Sequence, residues 1–188
     1  MQPRMLLEIL SVTEKLKNVT RHCYTSNGRR ESVAEHCWMA AMMALLLRDE
    51  FPEADMDKVI RMCLLHDMGE AFTGDIPAFD KHHGHEEQEA MLLNNWVTSL
   101  PEPYRSEFQA LYAEMDARET VEARIYKAID NMEAVIQHNI SDLSTWIPLE
   151  YDLNLTYGDD KVGFSLYLTE LRQEIRNDTQ RKISSGNV

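Results

Sequence analysis

Two histidines and two aspartates stand in helix-like apolar sequence where an isolated charge is costly. They are His36 in Glu31-Ser32-Val33-Ala34-Glu35-His36-Cys37, the adjacent His66 and Asp67 after Val59-Ile60-Arg61-Met62-Cys63-Leu64-Leu65, and Asp130 in Lys127-Ala128-Ile129-Asp130-Asn131. A charge buried in such surroundings needs a partner. Two imidazoles and two carboxylates can close around one divalent ion, and these donors suit Mn, Co, Fe, Mg or Zn without choosing among them. An ion that accepts six ligands keeps positions for water and substrate, and the water it acidifies is a nucleophile near neutral pH. The chemistry such a centre serves is hydrolysis. Adjacent helical residues diverge by about 100° around the axis, so His66 and Asp67 share an ion only if it lies beside their helix and other helices complete the shell.

Those other helices can be read from the apolar spacing. Helical periodicity dominates and no strand-type alternation stands out, so the expected fold is all-α, a globular bundle of about six or seven helices. A first helix is expected over about residues 3–17, carrying Leu6, Ile9, Leu10 and Leu16, before a polar loop through Asn27-Gly28-Arg29-Arg30. Ser32 with Glu35 three residues later reads as a capping box opening the second helix. That helix is apolar on two sides, Ala34, Trp38, Ala41, Met42 and Leu45 on one and Met39, Met43 and Leu47 on the other, which predicts a central position. It stops at Phe51-Pro52-Glu53. A third helix is expected from about 55 to 72, running through His66-Asp67 and broken by Thr73-Gly74-Asp75-Ile76-Pro77, with further helices over about 84–99, 103–114 and 120–140. On the last of these Val121, Ile125, Ala128, Ile129, Met132, Val135, Ile136 and Ile140 are expected to form the core stripe. Asp130 shares another face with Ala123, Tyr126, Ala134 and Gln137, while Arg124, Lys127 and His138 make a more solvated flank. Residues 143–160 read as an irregular connection, and a final helix spans about 161–177. The expected organisation is one domain over 1–178 and a polar tail over 179–188.

The balance of charge narrows the partners. With 19 basic and 32 acidic residues in 188, the net charge of −13 argues against a nucleic-acid polymer, whose binding needs clustered Lys and Arg. A small phosphorylated substrate, held locally by a metal and one or two arginines, is compatible with it. Cys23, Cys37 and Cys63 form no CxxC pair and no even disulfide framework, which suits a reducing compartment. No apolar run reaches the length of a membrane span, and no secretory leader is recognisable, so the expected setting is the cytoplasm without a membrane partner.

Four segments occur in order: Glu31-Ser32-Val33-Ala34-Glu35-His36, Leu65-His66-Asp67-Met68-Gly69-Glu70, Thr73-Gly74-Asp75-Ile76-Pro77 and Lys127-Ala128-Ile129-Asp130. In these the chain resembles the HD-domain metal-dependent phosphohydrolases, and within them the YfbR-like 5′-deoxynucleotidase branch, from about Arg21 to Gln137. The resemblance implies an HD-domain helical fold and one divalent metal ion per chain at His36, His66, Asp67 and Asp130. It also implies release of phosphate from deoxyribonucleoside 5′-monophosphates and, as is common in this branch, a homodimer.

By the same resemblance Glu70 and Asp75 are catalytic. One carboxylate must organise the attacking water and another group must protonate the departing 5′ oxygen; Glu70 is assigned to the first task and Asp75 to the second. A helix continuing through the motif would put His66, Asp67 and Glu70 on adjoining faces. A phosphate dianion needs further positive charge, best supplied by a guanidinium. Arg21 matches the family's phosphate-contacting arginine, whereas Arg29 and Arg30 read as solvated loop charges. The residue after that arginine is aromatic in the branch but is His22 here, so the sugar-side contact differs.

Other readings compete with this one. Another HD hydrolase would act on nucleoside triphosphates or cyclic nucleotides, and a non-catalytic module would bind metal and nucleotide without turnover. A di-iron oxygenase would recruit His82, His83 and His85, although these histidines bunch at one expected helix start where Glu86 and Glu87 suit the helix dipole without a metal. Trp38, Trp96, Trp146 and the eleven methionines read as core packing.

Overall fold

A computed structural model describes residues 1–77, 79, 80 and 82–186. Helices α1 (Pro3–Thr13), α2 (Val33–Leu46), α3 (Met56–Leu65), α4 (Glu70–Thr73), α5 (His83–Ser99) and α6 (Tyr104–Ala117) are followed by α7 (Val121–Ile140), α8 (Glu150–Thr156), α9 (Asp159–Val162) and α10 (Leu166–Gly186). The only strands among the described residues are β1 (Thr20–Tyr24) and β2 (Arg30–Ser32), an antiparallel pair with a register irregularity. The fold is therefore all-α in class. No described helix is long and apolar enough to cross a membrane.

The centre of the molecule is the packing of α2, α3 and α7 on one another, with α10 against α7. Alanines at 40, 41 and 44 let α2 approach closely, and Val59, Met62 and Cys63 of α3 meet Ile125, Ala128, Ile129 and Met132 of α7 in one cluster. Each large side chain fully removed from water there contributes about 1.5–3 kcal/mol. A second cluster, with Leu16, Val33, Cys37, Met68, Trp96 and Val97, lies under the turn after α3. These two clusters grip the segments that carry the histidines and aspartates.

Several expectations are corrected by this packing. The loop before α2 is flanked by two short strands, too brief for alternation to be legible in sequence. The expected stripe on α2 is partly solvent-facing: Trp38 is 56% and Leu45 42% exposed, while Val33, His36, Cys37, Ala40, Ala41 and Ala44 are buried. Val121 and Ile140, at the two ends of the expected α7 stripe, are exposed because they lie beyond the helices that cover its middle. Residues 143–160 contain α8 and α9 rather than an irregular connection, which raises the helices of seven residues or more from seven to eight. The tail expected from 179 is helical through Gly186, and Thr179 is buried with its hydroxyl donating to Asn139 and to the Ile175 carbonyl. Polar composition hid that burial; Asn187 and Val188 lie outside the described residues.

Candidate active site

His36 enters the site from the first turn of α2. The capping box forms as its spacing predicts, the Glu35 amide donating to Ser32 Oγ at 3.3 Å and the Ser32 amide to Glu35 Oε2 at 2.9 Å, so the helix starts at a defined place. His66 caps the C-terminus of α3. Here the helix does not continue as expected: bonding tightens to i→i+3, with the Met68 amide on the Leu65 carbonyl and the Glu70 amide on the Asp67 carbonyl. Competition for carbonyls explains the break, since His66 Nδ1 lies 2.9 Å from the Cys63 oxygen and Tyr112 Oη donates to the Leu65 oxygen at 2.8 Å. The turn removes the divergence of adjacent helical positions, and Asp67 Oδ2 comes 3.2 Å from His66 Nε2. Asp130 arrives from the middle of α7.

The geometry brings all four groups together. His36 Nε2 is 3.1 Å from His66 Nε2, 3.1 Å from Asp130 Oδ1 and 3.6 Å from Asp67 Oδ2; His66 Nε2 is 3.4 Å from Asp130 Oδ1. The tautomers follow from the outer contacts. His36 Nδ1 faces the Glu133 carboxylate and His66 Nδ1 faces a carbonyl, so each Nδ1 carries a hydrogen and each Nε2 is the nitrogen turned inward. The second oxygen of Asp130 accepts from Lys127 Nζ at 2.6 Å, leaving Oδ1 for the centre. Two imidazole nitrogens and two carboxylate oxygens facing one point favour positive charge there, and the nitrogen and oxygen set fits a divalent metal. Electrostatics repeat the point: burial opposes charge on His66, yet Asp67 and Asp130 hold its pKa well above the usual imidazole range. Burial likewise opposes the Asp67 charge, and His66 and His36 still pull its pKa below the carboxylate range.

The centre forms the floor of a cavity of about 400 Å³, a size usual for small-molecule sites. Glu70 and Asp75 both line it. Gly74, at φ 80°, turns the chain between them in a conformation that other residues adopt only with strain. Burial, with Asp67, Asp75 and Glu89 adding negative charge, pushes the Glu70 carboxyl up to about 10. Arg21 on β1 also lines the cavity, its Nη1 held by Glu31 at 2.9 Å and Glu133 at 3.2 Å. His22 lines the wall beside it, against the ring of Phe79. Arg29 pairs with Glu35 at the surface and Arg30 covers Tyr24, in keeping with loop charges. His82, His83 and His85 are exposed at the start of α5, His82 and His85 stacking on each other, and none lines the cavity.

Sequence reading missed seven contributors. Glu133, 0% exposed, touches both His36 and Arg21, and its place one turn after Asp130 was the available signal. Glu31 braces Arg21 from the strand side. Lys127 and His138, expected on a solvated flank, line the cavity, and so does the face of α8 carrying Glu150, Leu153 and Asn154.

Residues 13–171 match the HD domain family, and the chain belongs to it. Among curated relatives, the human 5'-deoxynucleotidase HDDC2 is 34% identical over 142 residues, which are 71% of this chain and 67% of that protein. The Saccharomyces cerevisiae 5'-deoxynucleotidase YBR242W is 28% identical over 143 residues, covering 72% of this chain and 59% of its own. The chain thus spans about two thirds or less of the length of these relatives. Among solved structures, a predicted metal-dependent phosphohydrolase from Magnetospirillum magnetotacticum superposes with a TM-score of 0.78 at 28% identity, over 94% of this chain and 92% of that one.

Proposed function

We propose that this protein is a metal-dependent phosphomonoester hydrolase that releases phosphate from nucleoside 5′-monophosphates, deoxyribonucleotides included. The observation that carries the reading is the convergence of four groups, His36, His66, Asp67 and Asp130, beneath a cavity walled by Arg21. One divalent ion held by these four, Mn, Co, Mg, Fe or Zn, supplies Lewis acidity and an acidified water when bound. Arg21 neutralises the phosphate dianion with paired N–H groups, already oriented by two carboxylates. Glu70 lines the cavity beside the centre and organises the attacking water. Asp75 protonates the departing 5′ oxygen, which would otherwise leave as a poor alkoxide group. His22 meets the sugar, one residue along the strand from the phosphate contact.

A homodimer belongs to the same proposal. The exposed Trp38, Leu45 and Leu46 on α2 and Leu6, Leu7 and Leu10 on α1 are large apolar side chains of the kind an interface covers. Three buried free thiols suit a reducing setting, and the cytoplasm is the proposed location.

The test strips the protein of metal, reloads it separately with Mn, Co, Mg, Fe and Zn, and identifies the products from a panel of phosphorylated metabolites. Inorganic phosphate from dAMP and related monophosphates is expected without oxygen, with one metal per chain. Pyrophosphate or triphosphate as product would move the protein to another HD hydrolase class. No turnover by any loaded form would leave a binding module.

A further inference from the structure

The wall of the cavity formed by α8 contains a buried carboxylate, one of whose oxygens has no hydrogen bond. Glu150 is 1% exposed and lines the cavity. Its Oε2 accepts from the Ile147 amide at 2.8 Å, which closes the first turn of α8. Its Oε1 is buried without a hydrogen bond. His22 Nε2 lies 3.0 Å away and His138 Nε2 3.3 Å away, but His22 Nε2 also lacks an aligned hydrogen-bond partner. A buried acceptor left unsatisfied costs about 1–3 kcal/mol, and more if charged, and Glu150 lines the cavity, so a ligand donor that enters beside the two imidazoles would satisfy it.

The element that presents it is rigidly held. Arg172 of α10, 1% exposed, donates to the Asn154 and Tyr157 carbonyls at 3.0 Å each, and Arg176 donates to the Leu155 carbonyl at 2.8 Å. These guanidiniums satisfy carbonyls at the C-terminal end of α8 that the short helix leaves open. Trp146 Nε1 ties the approach to α8 onto the His138 carbonyl at 3.0 Å.

Resting on the hydrolase reading above, we propose that Glu150 is a specificity-determining residue whose Oε1 accepts a hydrogen bond from the 3′-hydroxyl of the nucleotide sugar. Glu150 contacts His22, the neighbour of the phosphate-binding Arg21, which puts it on the sugar side of the phosphate. A deoxyribonucleoside 5′-phosphate has one sugar hydroxyl, at 3′, and Glu150 has one oxygen without a hydrogen bond, since the other is committed to Ile147. One acceptor therefore reads one donor, and a 2′-hydroxyl adds nothing at this position.

The experiment compares kcat/KM for AMP, 2′-deoxy-AMP and 3′-deoxy-AMP in the wild type, Glu150→Gln and Glu150→Ala. Wild type is expected to disfavour 3′-deoxy-AMP by about 10- to 100-fold relative to AMP, a pair that differs only at the 3′ position, which is the range for a hydrogen bond to a charged group. That ratio should fall in Glu150→Gln and approach one in Glu150→Ala. Because both substrates see the same folded fraction, partial unfolding of a variant does not alter it. An unchanged ratio in Glu150→Ala, or its absence in wild type, overturns the proposal. NMR titration with adenosine and 3′-deoxyadenosine reads the same contact without turnover. Hydroxyl-dependent, Glu150-dependent nucleoside binding in a protein that releases no phosphate would uphold the sugar contact while removing the hydrolase reading. Phosphate release with no Glu150 dependence would do the reverse.

Discussion

Replacing Glu133 by Gln tests whether the centre depends on its supporting carboxylate. Glu133 is fully buried on α7, one turn beyond Asp130, and the same oxygen, Oε2, meets both His36 Nδ1 and Arg21 Nη1. Gln keeps the volume and can still accept one hydrogen bond, but it removes the negative charge that makes His36 Nε2 more electron-rich. Loss of such an outer carboxylate costs about 10- to 100-fold in metal affinity, or about 1.4–2.7 kcal/mol. Glu31→Gln is the matched control, because Glu31 accepts from Arg21 and from Cys23 Sγ but makes no hydrogen bond to His36. Calorimetric titration with Mn or Co should therefore show weakened metal binding in Glu133→Gln and near wild-type binding in Glu31→Gln. Both variants should raise KM for the phosphorylated substrate, since each removes one of the two braces on Arg21. Metal affinity within twofold of wild type in a folded Glu133→Gln protein would refute the reasoning, as would equal weakening by both variants.

Three further outcomes are expected. Glu70→Gln should bind metal like the wild type and lose about 10²- to 10⁴-fold in kcat; turnover within tenfold of wild type, measured by phosphate release, would remove Glu70 from the mechanism. Burial, with Arg21 and His22 nearby, holds His138 down to about 4. Between about pH 6.5 and 4 the unfolded chain takes up a proton that the folded chain refuses, so this group's contribution to stability falls as pH falls through that window. In urea titrations His138→Gln should narrow the stability difference between pH 7 and pH 4.5 by about 2 kcal/mol, and an unchanged difference would count against the shift. Leu46, 76% exposed on α2, is placed in the proposed dimer interface. Leu46→Glu should convert the dimer to a folded monomer in sedimentation measurements, and a wild type that is monomeric at every concentration would dispose of that interface.

Much of the site was legible along the chain because its signals are local. A carboxylate or imidazole inside an apolar run is anomalous wherever it occurs, and His36, His66, Asp67 and Asp130 each stand out in this way. The Ser32–Glu35 capping box is equally local, and it forms at the position its spacing predicts. The all-α class follows from periodicity summed over many residues, which single exceptions do not disturb.

What only the tertiary structure decided involves partners distant in sequence. Glu133 reaches His36 across 97 positions. The break after α3 depends on Tyr112, 47 positions from the carbonyl it takes. The burial of the polar end of α10 and the placement of α8 depend on arginines whose targets lie 15 to 21 residues earlier. Trp38 and Leu45 make the same point from the opposite side, since apolar spacing records that a face will be covered and not whether this chain or another covers it. Side-chain type and spacing set which groups want partners; long-range packing decides which partners they meet, because that choice is made by contact energies between segments and not by any property of the segment alone.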